Sequence, residues 1–129
     1  MDKQVPNILL VEDERVMSIL IRHNLEKEGF HIDAFENGEK AIEFCSTHVP
    51  DLIISDVMMP CMNGFELFKR IKEDERLLNV PFIFLTARAQ TADILRGNAM
   101  GADDYLTKPI EPALLIEKVR SWLKQRPGR

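Results

Sequence analysis

The chain has 129 residues, the length of one domain with a single core. Hydrophobic residues make up 45% and charged residues 29%, as in an ordinary soluble domain, and a formal net charge of −4 gives no support for a general nucleic-acid-binding surface. No apolar run is long enough to span a membrane and Met1-Asp2-Lys3-Gln4 has no signal-peptide pattern, so the expected compartment is the cytoplasm.

Ile8-Leu9-Leu10-Val11 is a continuous apolar run, the pattern of a strand buried on both faces, and it leads into Glu12-Asp13. A helix is expected over about Arg15–Glu28, with Met17, Leu20, Ile21 and Leu25 as its apolar stripe and Gly29 as its stop. Phe30, Ile32 and Ala34 alternate with polar residues, which suggests a strand near the sheet edge. Asn37 is placed to cap a helix whose inner face is Ala41, Ile42 and Cys45. Pro50-Asp51 leads into a third strand, Leu52–Ser55, which ends on Asp56.

The stretch from Val57 to Gly64 is a loop punctuated by Pro60 and Gly64, after which Phe65, Phe68 and Ile71 recur at helical spacing. Val80-Pro81 precedes a fourth strand, Phe82-Ile83-Phe84-Leu85, which runs into Thr86. Thr91–Met100 is a weaker helix, since Gly97 and Asn98 lower its propensity. Tyr105-Leu106-Thr107 is a fifth strand and runs into Lys108-Pro109, an X-Pro bond whose cis form would set the direction of the lysine. The last helix follows Pro112, with Leu115, Val119 and Trp122 as its stripe and Ile116 and Leu123 in support. The two cysteines, Cys45 and Cys61, have neither C-x-x-C nor zinc-site spacing, and read as a half-buried helix thiol and a loop thiol.

Five strands alternating with five helices predict an α/β domain with a parallel sheet and helices on both faces. The C-terminal ends of the strands would then lie side by side, at the edge where open α/β sheets bind ligands. Glu12, Asp13, Asp56, Thr86 and Lys108 would converge there. Carboxylates so close together raise one another's pKa or recruit a metal, and Mg²⁺ suits hard oxygen ligands. Asp56 ends a central apolar strand, where an acid otherwise has no reason to be, so it is the candidate nucleophile toward phosphorus. Lys108 and Thr86 offer an ammonium and a hydroxyl to phosphoryl oxygens. Taken singly, each residue has an ordinary reading as a cap, a first-turn acid or a surface lysine. Those readings weaken together, because complementary residue types end successive strands.

The stretches that carry the set are Ile8–Glu14, Asp56–Gly64, Leu85-Thr86-Ala87-Arg88 and Gly101–Pro109. From about Asn7 to Leu123 the chain resembles the receiver domains of two-component response regulators, with all four stretches in order. The resemblance implies a flavodoxin-like, doubly wound (βα)5 fold with a five-stranded parallel sheet of order 2-1-3-4-5. It implies a receiver domain over residues 1–124, with 125–129 a polar tail or the start of a linker. It makes Asp56 the phosphoacceptor, supplied by a phosphohistidine on a sensor histidine kinase or a histidine phosphotransfer protein. Asp13, Asp56 and the Met58 carbonyl would ligate Mg²⁺, with Glu12 acting mostly through water. Lys108 and Thr86 would bind the phosphoryl oxygens, and Tyr105 would turn inward as Thr86 moves. The output face, on the fourth helix, fifth strand and last helix, would address a downstream effector, without direct nucleic-acid or membrane contact by this domain.

Some positions depart from the family pattern. Glu12 stands where Asp is more frequent, and Met58 and Arg88 occupy variable positions beside the site. Asp104 and Lys118 fit the charged dimer face of the winged-helix transcription-factor branch. Ile94 and Leu114 stand where that face has an opposite-charge pair, which puts a phosphorylation-dependent dimer of that kind in doubt. Three other readings stay open. An aspartate-nucleophile phosphatase carries a second acid two residues after the nucleophile, where this chain has Met58. A flavodoxin-like FMN carrier needs hydroxyls and amides where this chain has Glu12-Asp13-Glu14. The third is a receiver used only for protein contacts.

Overall fold

Two apolar layers, one on each side of a single sheet, account for the apolar runs. The computed structural model describes residues 5–87 and 101–125. Its strands are β1 (Asn7–Val11), β2 (His31–Phe35), β3 (Leu52–Asp56), β4 (Phe82–Thr86) and β5 (Asp104–Thr107). All pair in parallel, in the order β2-β1-β3-β4-β5. The helices are α1 (Arg15–Lys27), α2 (Gly38–Cys45), α3 (Gly64–Lys72) and the C-terminal α4 (Pro112–Gln125). The expected helix over Thr91–Met100 lies outside the described residues.

Side chains alternate across a strand, so each central strand feeds both layers. Leu9, Val11, Ile53, Phe82 and Phe84 meet Ala41 and Cys45 of α2 and Phe65, Phe68 and Ile71 of α3. Ile8, Leu10, Ile54, Ile83 and Leu85 meet Ile21 and Leu25 of α1 and Leu115 and Val119 of α4. Each such large side chain contributes about 2 kcal/mol on burial, which is why both faces of the strands are apolar. The buried stripe of α1 is narrower than its apolar spacing suggests. Leu20 is 52% exposed and lies off the buried stripe of α1, which consists of Ile21 and Leu25 with Met17 partly covered.

Local chemistry sets the helix ends. Gly29, at φ 95°, takes the left-handed conformation that ends α1, and its N–H donates to the Glu26 carbonyl. Asn37 caps α2, its Oδ1 accepting from Lys40 N at 2.8 Å. Asn63 and Glu66 exchange bonds at the start of α3, each side chain accepting from the other's backbone N–H at 2.9 Å. A short 3₁₀ helix at Glu75–Leu77 follows, where the sequence pattern gave no element. The chain reverses direction across the sheet between β1 and β3, so the crevice of a doubly wound sheet falls at the ends of these strands.

Candidate functional site

Register brings the polar strand ends together. Val11 lies opposite Ser55, Asp56 opposite Leu85, and Thr86 opposite Thr107. Glu12 therefore leaves β1 beside Asp56, while Lys108 leaves β5 beside Thr86. Lys108 N donates to the Thr86 carbonyl at 2.7 Å, extending the ladder one step beyond β5. The Lys108–Pro109 peptide is cis.

The ammonium of Lys108 stands between two acids, 3.1 Å from Asp56 Oδ2 and 3.0 Å from Glu12 Oε1. Glu12 and Asp56 are buried, their side chains 0% and 7% exposed. Glu12 Oε2 accepts from Glu14 N at 3.0 Å. Glu12 Oε1 lies within ion-pair reach of Lys108, but the contact is not aligned as a hydrogen bond. It is the one buried side-chain oxygen or nitrogen among the described residues with no hydrogen-bond partner.

The electrostatics follow from that arrangement. Burial, with the charge of Asp56 adding, pushes the Glu12 carboxyl up to about 7, although the Glu14 N–H and Lys108 pull it down. Burial pulls the Lys108 ammonium down, but Glu12 and Asp56 outweigh it and hold its pKa above the ordinary value. Asp13 sits exposed at the mouth. Oxygens of Glu12, Asp13 and Asp56 all lie within 4.8 Å of one another. Three carboxylates against one ammonium leave an excess of two negative charges when all are ionised. Hard oxygen donors, that excess charge and the unsatisfied Oε1 all fit Mg²⁺.

The remaining expected residues differ in burial. Thr86 is buried at the end of β4. Met58 stands two residues past Asp56 on the following loop, its side chain in solvent. Tyr105 is half-buried on β5, its ring over Phe84 with centroids 6.0 Å apart. Burial, with Asp104 beside it, holds its hydroxyl pKa above the usual value. Arg88 and Ile94 lie outside the described residues. A cleft of about 400 Å³ at the other end of the sheet, lined by Asn7, His31, Phe44 and His48 among others, is remote from these groups.

Periodicity missed several supports. Ser55 Oγ donates to the Asp56 carbonyl at 3.0 Å, and Gly64 N donates to the Val57 carbonyl at 2.8 Å. The only signal for the second was the Asn63-Gly64 pair, which reads as loop punctuation.

A doubly wound sheet of this order, with a lysine-paired carboxylate and two further acids at its switch point, defines a class of flavodoxin-like receiver domains. The response regulator receiver domain model matches residues 8–120, and the chain belongs to that family. It is 40% identical over 121 residues to the phosphate regulon transcriptional regulatory protein PhoB of Rhizobium meliloti, covering 94% of this chain and 53% of that one. It is 44% identical to the transcriptional regulatory protein YvrH of Bacillus subtilis, covering 92% and 49%. The chain thus spans about half the length of the curated relatives it matches. Among solved structures, a putative response regulator from Chloroflexus aurantiacus superposes with a TM-score of 0.91 at 29% identity, covering 95% of this chain and all of that one. The receiver domain of a sensor histidine kinase from Pseudomonas aeruginosa gives 0.87 at 30% identity, covering 95% of this chain and all of its own. That structure holds a magnesium ion coordinated in its active-site cleft.

Proposed function

We propose that Asp56 accepts a phosphoryl group from a phosphohistidine on a sensor histidine kinase or histidine phosphotransfer protein. The observation that carries this reading is the buried strand-end carboxylate, lysine-paired at 3.1 Å and clustered with two further acids. An Asp56 oxygen attacks phosphorus, and the new O–P bond forms as the donor's P–N bond breaks. The imidazole leaves as the neutral base, taking a proton from solvent. Lys108 turns its ammonium to the phosphoryl oxygens and the Thr86 hydroxyl donates to another. Asp13, Asp56 and the Met58 carbonyl would hold Mg²⁺ directly, with Glu12 acting through water. When bound, the ion neutralises charge on the carboxylates and on the transferring group.

As Thr86 moves toward the phosphoryl group, Tyr105 turns further inward, and the output face on β5 and α4 changes. The domain, over residues 1–124 with 125–129 as tail or linker, then addresses a downstream effector from the cytoplasm. It makes no direct contact with nucleic acid or membrane, and phosphorylation-dependent dimerisation remains part of the proposal. No helix among the described residues is long and apolar enough to cross a membrane. The role is that of a phosphoacceptor rather than a turnover enzyme, because Met58 stands where an aspartate-nucleophile phosphatase carries its general acid. Intact mass after incubation with Mg²⁺ and a small phosphodonor tests the site. One added phosphoryl group is expected, dependent on metal and absent from Asp56→Asn. Stoichiometric labelling of Asp56→Asn overturns the assignment, and steady phosphate release from small phosphoesters overturns the non-enzymatic role.

A further inference from the structure

Helix α3 begins hard against the backbone that carries Asp56. A Cβ built on Gly64 would overlap the Asp56 carbonyl oxygen, and would lie 2.9 Å from Val57 Cα and 3.1 Å from the Asp56 carbonyl carbon. These are main-chain atoms, not the far ends of flexible side chains. The Asp56 carbonyl also accepts from Ser55 Oγ at 3.0 Å, and Val57 N donates to the Leu85 carbonyl at 2.9 Å. The Asp56–Val57 peptide is thus held from β3 and from β4, and the next carbonyl along, Val57 O, accepts from Gly64 N–H at the start of α3.

Conformation does not require the glycine. Among the described residues only Gly29 and Gly101 are glycines at positive φ, and Gly64 opens a helix. Alanine is intrinsically the better helix former there. What excludes a side chain is space alone.

We propose that Gly64 is a positioning residue for Asp56. Its bare backbone lets α3 close onto the Asp56–Val57 peptide, and that closure sets how far the carboxylate reaches toward Lys108 and Asp13. The inference rests on the reading of Asp56 as phosphoacceptor. A side chain at position 64 displaces the Asp56 peptide, and misplacement of a reacting group by ~1 Å costs about a hundredfold in rate. Since α3 and β3 share the displacement, the loss expected for Gly64→Ala is about tenfold or more.

Gly38 supplies the matched control. It too opens a helix behind an asparagine cap, but its added Cβ would meet the Sδ of Met62 at 2.7 Å, the flexible end of a side chain. Labelling by a small phosphodonor is followed by intact mass, giving a rate constant at saturating Mg²⁺, a Mg²⁺ half-saturation point and a final extent. Far-ultraviolet circular dichroism fixes a temperature at which each variant is folded. Gly64→Ala is expected to lower the rate constant about tenfold or more and to weaken Mg²⁺ half-saturation, with Gly38→Ala within twofold of wild type on both. A rate constant and half-saturation within twofold of wild type overturn the proposal. So does a reduced extent with an unchanged rate constant, which is lost folded protein only. If Gly64→Ala is unfolded in buffer, trimethylamine N-oxide is added to restore the compact state, and a wild-type rate constant there is equally decisive against it. Absence of a metal-dependent adduct on wild type instead removes the underlying reading of Asp56.

Discussion

Two carboxylate–lysine clusters, at opposite ends of β5, have opposite balances of donor and acceptor. In the crevice, Glu12 and Asp56 share the one ammonium of Lys108, and Glu12 Oε1 has no directed hydrogen bond. At the start of β5, Asp104 alone collects three donors. Lys118 Nζ and Tyr105 N reach Oδ1, each at 2.8 Å, and Trp122 Nε1 reaches Oδ2 at 2.9 Å. Burial works against ionisation in both places, but the outcome differs. It prevails at Glu12, whose carboxyl rises to about 7, while at Asp104 the donors outweigh it and lower the pKa. The surplus of donors makes Asp104 a strut between β5 and α4. The shortage leaves the crevice with negative charge for a cation to meet.

Removing Lys108 breaks the comparison hardest. Without its ammonium, Glu12 and Asp56 face each other across the buried crevice, and one of them takes up a proton. Lys108→Ala in metal-free buffer is expected to cost about 3 kcal/mol, read from the midpoint of urea unfolding. Mg²⁺ should restore more stability to this variant than it adds to wild type, because the ion then offsets charge that Lys108 used to offset. A loss under about 1 kcal/mol, with no extra response to Mg²⁺, would show that the crevice holds no uncompensated charge.

How much of this was legible in the sequence depends on the range of each interaction. The strands were, because β1, β3 and β4 are buried on both faces and so read as unbroken apolar runs. The set Glu12, Asp13, Asp56, Thr86 and Lys108 was legible for the same reason, since each polar residue interrupts or follows such a run. Helix faces were read less well. Leu20 fits the spacing of the α1 stripe, yet neither α4 nor the sheet reaches far enough round the helix to cover it. Trp122 reads as part of an apolar stripe, but its indole N–H crosses to Asp104, eighteen residues away in sequence. The 3₁₀ turn at Glu75–Leu77 rests on the Asp74 cap and on Lys72, whose Nζ donates to the carbonyls of Leu78 and Val80 at 3.0 and 2.7 Å. No periodicity carries those contacts. Nor does it carry the fit of Gly64 against Asp56, which depends on where α3 lands.

Acid titration should separate the two clusters by the sign of their effect. The Glu12 carboxyl binds its proton more tightly when folded, so the unfolded chain releases that proton first. In metal-free protein Glu12 therefore costs stability increasingly as pH rises from about 4.5 to about 7, with little further change above. Glu12→Gln lacks this cost. Its stability relative to wild type should climb across that interval in urea midpoints measured with chelator present. A flat difference would mean that Glu12 ionises as freely in the fold as outside it.

Asp104 has the smaller effect and the opposite sign. Its folded pKa lies below the unfolded value of about 3.9, so its ionised form stabilises the fold at all pH values above that. That contribution is lost as pH falls through the depressed folded pKa. Asp104→Asn keeps one acceptor for the indole or the ammonium but not the charge, and partial exposure screens what the charge contributes. The expected loss at neutral pH is about 1 kcal/mol, shrinking toward zero as pH drops below about 4. Trp122 is the only tryptophan in the chain, so its emission reports the strut directly. Its spectrum should change in Asp104→Asn and remain as in wild type in Lys108→Ala at pH 7. An emission change in Lys108→Ala matching that of Asp104→Asn would show that the crevice and the strut respond as one unit, and the contrast between them would fail.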